Sequence, residues 1–139
     1  MPQQVREVMT PGPVRVAPDA LVVDVARLMR SEKIGVVLVV EDGQLCGLVT
    51  DRDLVVRILA DGGPVTDRPV REACSEHLLT VAPEDTVEGA VALMRGAAVR
   101  RLPVVADGEP VGMVSLGDLA LERDPDSALS RISGADPNE

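Results

Sequence analysis

The sequence contains no phenylalanine, tyrosine or tryptophan. A core must therefore be built from Val, Leu, Ile, Ala and Met, and a flat ligand must be sandwiched by aliphatic side chains and backbone rather than stacked on rings. Lysine occurs once, at Lys33, so nearly all the positive charge is arginine, which suits localised anion recognition better than a diffuse field. The formal net charge of −9 counts against nucleic-acid binding, which needs a basic face. Histidine also occurs once, at His77, on a polar loop without an acid in motif range. A His-based triad or metal cluster is not expected. The two cysteines, Cys46 and Cys74, form no CxxC spacing and read as free thiols in a reducing cytosol. No apolar run approaches the ~20 residues of a membrane span, residues 1–10 lack an apolar signal core, and no Walker-type phosphate loop occurs. These absences point to a soluble cytoplasmic protein with no membrane or nucleic-acid partner.

What the chain does have is a second copy of itself. Shifted by 65 positions, Val5-Arg6-Glu7 falls on Val70-Arg71-Glu72, Val16-Ala17-Pro18 on Val81-Ala82-Pro83, and Leu28-Met29-Arg30 on Leu93-Met94-Arg95. Residues 5–54 and 70–119 share 18 identities in 50 ungapped positions. A tandem duplication at this spacing means two small units that bury their core together. Both fit within 139 residues, of which 45% are hydrophobic.

Each copy reads as β-α-β-β-α, giving an α/β (α+β) fold. A short extended piece (14–16; 79–81) runs into Ala-Pro and an acid, with Pro18 and Pro83 expected to open a helix. Apolar positions follow at helical spacing: Val22, Val25, Ala26 and Met29, and in parallel Val87, Ala90, Val91 and Met94. Asp42-Gly43 and Asp107-Gly108 then sit between apolar runs (36–40 and 45–49; 102–105 and 111–114), a strong hairpin signal. A second helix starts at Asp51 or Leu116. The copies are predicted over 1–60 and 70–122, joined by a linker at 61–69 and followed by a polar tail at 123–139.

The most pointed motif is Thr50-x-x-Asp53, echoed as Ser115-x-x-Asp118, where a strand gives way to a helix. Two readings share the same atoms. Hydroxyl-x-x-acid is a helix capping box. It also places free N–H groups at a helix start, suited to a phosphate, beside a carboxylate that can accept hydrogen bonds from a ribose diol.

Both halves resemble the cystathionine beta-synthase (CBS) domain over about residues 4–122. The resemblance is carried by the repeat itself, by the stretch from Val5 to Arg30, by Gly47-Leu-Val-Thr50-Asp-Arg-Asp53, by Val99-Arg100-Arg101-Leu102-Pro103 and by Gly112-Met-Val-Ser115-Leu-Gly-Asp118. The tandem arrangement is similar to a CBS pair, or Bateman module, particularly to small stand-alone prokaryotic members. The resemblance implies two pseudo-symmetric repeats packed sheet to sheet. It further implies a non-enzymatic regulatory module binding AMP, ADP, ATP or S-adenosylmethionine in clefts between them, with no required cofactor. Carried over by position, Val16 and Val81 would neighbour the adenine, Thr50 and Ser115 supply the hydroxyl, Asp53 and Asp118 the ribose contact, and Arg100 and Arg101 the phosphate contact.

The copies differ at one telling place: Arg100-Arg101-Leu102-Pro103 stands where the first copy has Gly35-Val36-Val37-Leu38. Two unequal sites are expected, with the arginines serving Thr50 and Asp53. The competing reading is a structural or protein-interaction pair with degenerate or empty sites. The resemblance also implies a homodimer through helices and leaves room for an effector protein. The apolar faces at Leu21, Val25 and Leu28 and at Leu54, Val55 and Ile58 fit a dimer or a monomer core equally well.

Overall fold

Two Asp-Gly turns organise the fold. The computed structural model describes residues 2–75 and 78–123; His77 and the tail at 124–139 lie outside the described residues. Asp42 and Gly43 adopt φ of 53° and 78°, and Asp107 and Gly108 φ of 53° and 82°. Two successive left-handed residues make the tight turn whose twist matches a hairpin, and Asp-Gly tolerates it with little strain. Strands β3 (Val36–Glu41) and β4 (Gln44–Thr50) form one hairpin, β5 (Arg101–Ala106) and β6 (Glu109–Ser115) the other. Both are antiparallel, and both shift register one turn from the tip, at Val39/Val40 and Val104/Val105.

A parallel partner flanks each hairpin. Strand β2 (Arg15–Val16) runs beside Leu38 and Val39 of β3, while its counterpart is reduced to one bridge, Val81 to Val104. Helix α1 (Val22–Glu32) buries Val22, Val25 and Met29, and α3 (Val87–Ala97) buries Val87, Ala90 and Met94. These residues recur at helical spacing, so one face of each helix closes over its sheet. Each β4 or β6 strand leads directly into a second helix. One is the three-residue α2 (Asp51–Asp53), continued by a π turn (Leu54–Ile58) and a 3-10 turn (Leu59–Asp61). The other is α4 (Leu116–Arg123).

Pro18 and Pro83 do not open α1 and α3, as the sequence suggested. They lie in the turn before each helix, closed by Ala20 N–H donating to Ala17 C=O at 3.1 Å and Asp85 N–H to Ala82 C=O at 3.0 Å. The turn stays outside the helix, and its other carbonyls have partners elsewhere. Val70 N–H donates to Ala20 C=O (2.7 Å) and Arg71 N–H to Pro18 C=O (3.1 Å). In the other half Val5 N–H donates to Asp85 C=O (2.8 Å) and Arg6 N–H to Pro83 C=O (3.0 Å).

That pattern crosses the copies. The 3-10 turn at Val5–Glu7 belongs in sequence to the first copy but docks on the second, and the turn at Val70–Glu72 does the reverse. Strand β1 (Thr10–Pro11) then pairs with Met113 and Gly112 of β6, and Ser75 bridges to Leu48 of β4. Gly112 and Gly47 permit these close approaches. A Cβ on Gly112 would lie 2.5 Å from Met9 Sδ and 3.0 Å from Thr10 O, and one on Gly47 would lie 2.8 Å from Cys74 Sγ. The chain accordingly divides into two compact units, Pro13–Leu78 and Met1–Gly12 with Leu79–Glu139. Each has its own core: Val70 is fully buried among Val22, Val37, Val39 and Val49, and Val5 among Val87, Leu102, Val104 and Val114.

Candidate functional site

The strand-to-helix junctions are built alike in both units. Thr50 ends β4 in an extended conformation, Asp53 N–H donates to Thr50 Oγ1 at 3.1 Å, and Thr50 N–H donates to Asp53 Oδ2 at 2.8 Å. At the second junction Asp118 N–H donates to Ser115 Oγ at 3.1 Å and Ser115 N–H to Asp118 Oδ2 at 3.0 Å. Both are complete capping boxes, which satisfy the otherwise unpaired donors of a first helical turn. In each carboxylate the cap uses Oδ2 alone, which leaves Oδ1 for another donor. All four residues are half-buried, so the cap is reachable.

The units differ in the cation beside this cap. Arg101 stands opposite Ser115 in the β5–β6 register, so their side chains rise from the same face of the sheet. The equivalent partner of Thr50 is Val36. In the Pro13–Leu78 unit the nearby cation comes from the helix instead, with Arg57 Nε 3.6 Å from Asp53 Oδ1. The sequence reasoning missed Arg57, although its i,i+4 spacing from Asp53 was a readable signal. The position equivalent to Arg57 is Glu122.

Arg100 takes a different place. Its carbonyl accepts from Leu116 N–H at 2.8 Å, and the residue lines an apolar groove of about 430 Å³ with Val91, Met94, Val99, Leu116 and Leu119. Arg100 and Arg101 therefore have different surroundings. Val16 is half-buried against its core and Val81 is 5% exposed within its own, so Val81 offers a packed wall more than a free side chain. Cys46 donates to Val39 C=O at 3.3 Å, and partial desolvation, with Glu41 nearby, raises its thiol pKa. Among the described residues no group of three or more His, Cys, Asp or Glu side chains could hold a metal, and no helix is long and apolar enough to cross a membrane.

A strand, helix, hairpin and helix repeated twice, each copy with a hydroxyl–carboxylate cap after its hairpin, define a tandem-repeat α/β pair. The chain belongs to the CBS domain family, whose profile matches residues 5–60 and 70–123. It is 38% identical over 133 residues to the CBS domain-containing protein YhcV of Bacillus subtilis, covering 93% of this chain and 94% of that one. The crystal structure of a CBS-domain containing protein from Agrobacterium tumefaciens superposes with a TM-score of 0.77 at 27% identity, over 87% of this chain and 99% of that one. The CBS domain pair of protein MJ0100, solved with 5′-methylthioadenosine and S-adenosyl-L-methionine, superposes with a TM-score of 0.80 at 19% identity, over 91% and 100% of the two chains.

Proposed function

We propose that this CBS pair is a non-enzymatic sensor of adenosine-containing ligands, with AMP, ADP, ATP and S-adenosylmethionine as candidates. The observation that carries the reading is the duplicated junction: in both units a reachable carboxylate keeps Oδ2 in the cap, and Oδ1, which lies outside the cap and in Asp53 also faces Arg57, is the oxygen assigned to a ribose diol. The absence of aromatic residues suits an adenine held by aliphatic side chains, with Val16 and Val81 marking the strands on which it would lie. A pair of this fold in MJ0100 holds two adenosyl compounds, which supports the ligand class.

The two sites are unequal in this proposal. In place of the expected pairing of the arginines with Thr50 and Asp53, Arg101, in register with Ser115, favours a phosphate-bearing ligand at Ser115 and Asp118, whereas Thr50 faces Val36 and Asp53 lies beside Arg57. Ligand binding biases the pair toward the state that binds best, by the differential affinity and nothing more. We also propose that the protein is a homodimer through its helices. Calorimetric titration with AMP and adenosine tests the ligand reading. Arg101→Ala should weaken AMP by roughly tenfold while leaving adenosine near its wild-type affinity, as loss of one charge-assisted contact implies. An AMP affinity unchanged in the variant removes Arg101 from the site. If no adenosyl compound at millimolar concentration raises the melting temperature, the sensor reading fails. The structural alternative would then stand, favoured by the loss of strand cation and proline in the first copy.

A further inference from the structure

Each unit has an apolar groove lined by both of its helices, and in one unit the chain that follows supplies a wall. In the Pro13–Leu78 unit a groove of about 350 Å³ includes Ala26, Met29, Asp51 and Leu54. The chain leaving the second helix turns at Gly62 (φ 79°) and comes back, so that Leu59 and Val65 line the same groove and Val65 packs on the core. Arg68 pins this returning segment. Its Nη1 donates to Asp61 Oδ2 at 3.0 Å and to Ile58 C=O at 3.3 Å, and its Nε donates to Glu72 Oε1 at 3.0 Å. Its carbonyl accepts from Val22 N–H at 2.9 Å.

The aligned positions of the second copy, Val91, Met94, Leu116 and Leu119, line the groove of about 430 Å³ in the other unit. Val99 and Leu116 stand open there, 36% and 42% exposed, and apolar side chains this open on one groove are what a further contact covers. Positions 124 and 130, aligned with Leu59 and Val65, lie outside the described residues. In sequence, 124–139 holds Leu129 and Ile132, three apart, and the acids Asp124, Asp126, Asp136 and Glu139 against a lone base, Arg131. The charges have changed sides between the copies. The returning segment of the first copy carries its own guanidinium, Arg68, which aligns with Ser133, whereas the second groove gains Arg100 where the first copy has Gly35. Arg95 lines that groove with Arg100, and among the described residues neither is in an ion pair.

We infer that the segment 124–132 returns over the groove of its own unit, as 59–68 does in the other. Leu129 and Ile132 cover Val99 and Leu116, and the acids of the segment lie beside Arg95 and Arg100. The reach allows it. Leu116 lies about 10 Å back along α4 from Arg123, and the six residues 124–129 span up to about 20 Å. Apolar burial holds such a strap in place, and the charge pairing fixes which way it lies. The strap uses neither Arg101 nor a capping carboxylate, so it stands or falls apart from the ligand reading.

A nitroxide on Ser130→Cys, in the full chain with Cys46→Ser and Cys74→Ser, reads the strap by paramagnetic broadening of amide resonances. Val99, Arg100 and Leu116 should lose most of their intensity, while Ala106 and Glu109, at the turn end of the same hairpin, keep theirs. Adding Leu129→Asp and Ile132→Asp should restore the lost signals, and Arg95→Glu with Arg100→Glu should restore them in part. Broadening spread evenly over the unit, or broadening that survives the changes at Leu129 and Ile132, overturns the inference. Isotope-labelled chains without nitroxide, mixed with unlabelled chains that carry it, show whose segment is bound. Undisturbed signals in that mixture support a strap within one chain. Equal loss at Val99, Arg100 and Leu116 means that a second copy supplies the segment, and the strap within one chain is then wrong.

Discussion

Asp118 closes a cap, and in the proposed sensor it serves structure and recognition with different atoms. Its backbone N–H and Oδ2 close the cap with Ser115, and Oδ1 takes no part in it. Asp118→Ala should cost about 0.5–2 kcal/mol of stability, the usual worth of a cap, measurable as a lower denaturant midpoint. The same variant should lose adenosine as well as AMP, which distinguishes it from Arg101→Ala. The carboxylates were legible in the sequence because hydroxyl-x-x-acid has a fixed spacing and a local cause. Arg57 and the separation of Arg100 from Arg101 were not. Which way a side chain leaves the start of a strand depends on hydrogen bonds such as Leu116 N–H to Arg100 C=O, and adjacent residues in a sequence do not announce it.

At the scale of elements, the hairpins followed directly from Asp-Gly between apolar runs, and α1 and α3 from their apolar spacing. Proline misled because position N1 of a helix and the second position of a turn accept the same fixed φ. The docking of the Val5–Glu7 and Val70–Glu72 turns was hidden for a sharper reason. The two segments share Val-Arg-Glu and the same local preferences, so nothing local says which copy each will join. Val5 is fully buried beside Val87, Leu102, Val104 and Val114. Val5→Ala should therefore cost about 2 kcal/mol, the range for emptying part of a packed core. Hydrogen exchange locates the damage: amides of β5 and β6 should lose protection, while β3 and β4 keep theirs. Loss confined to β3 and β4 would contradict the crossed docking.

At the scale of the molecule, the duplication predicted a pair and the family supplied its kind, but the compact units do not coincide with the copies. One unit is continuous, Pro13–Leu78, and the other is assembled from Met1–Gly12 and Leu79–Glu139. Deleting residues 1–12 should lower the thermal transition of the discontinuous unit and leave a separate, near-native transition for the continuous one, read by calorimetry. A single unshifted transition would mean that the N-terminal segment is dispensable.

The crossed docking also bears on what a lone copy could be. It would carry an N-terminal turn whose dock lies in the other copy and a sheet edge awaiting a turn it does not own. Two such chains would have to find each other before either was complete, at whatever concentration the cell happened to hold. Joining them replaces that encounter with a tether, which raises the effective concentration to the order of millimolar. The completeness of the fold then no longer depends on how much protein is made.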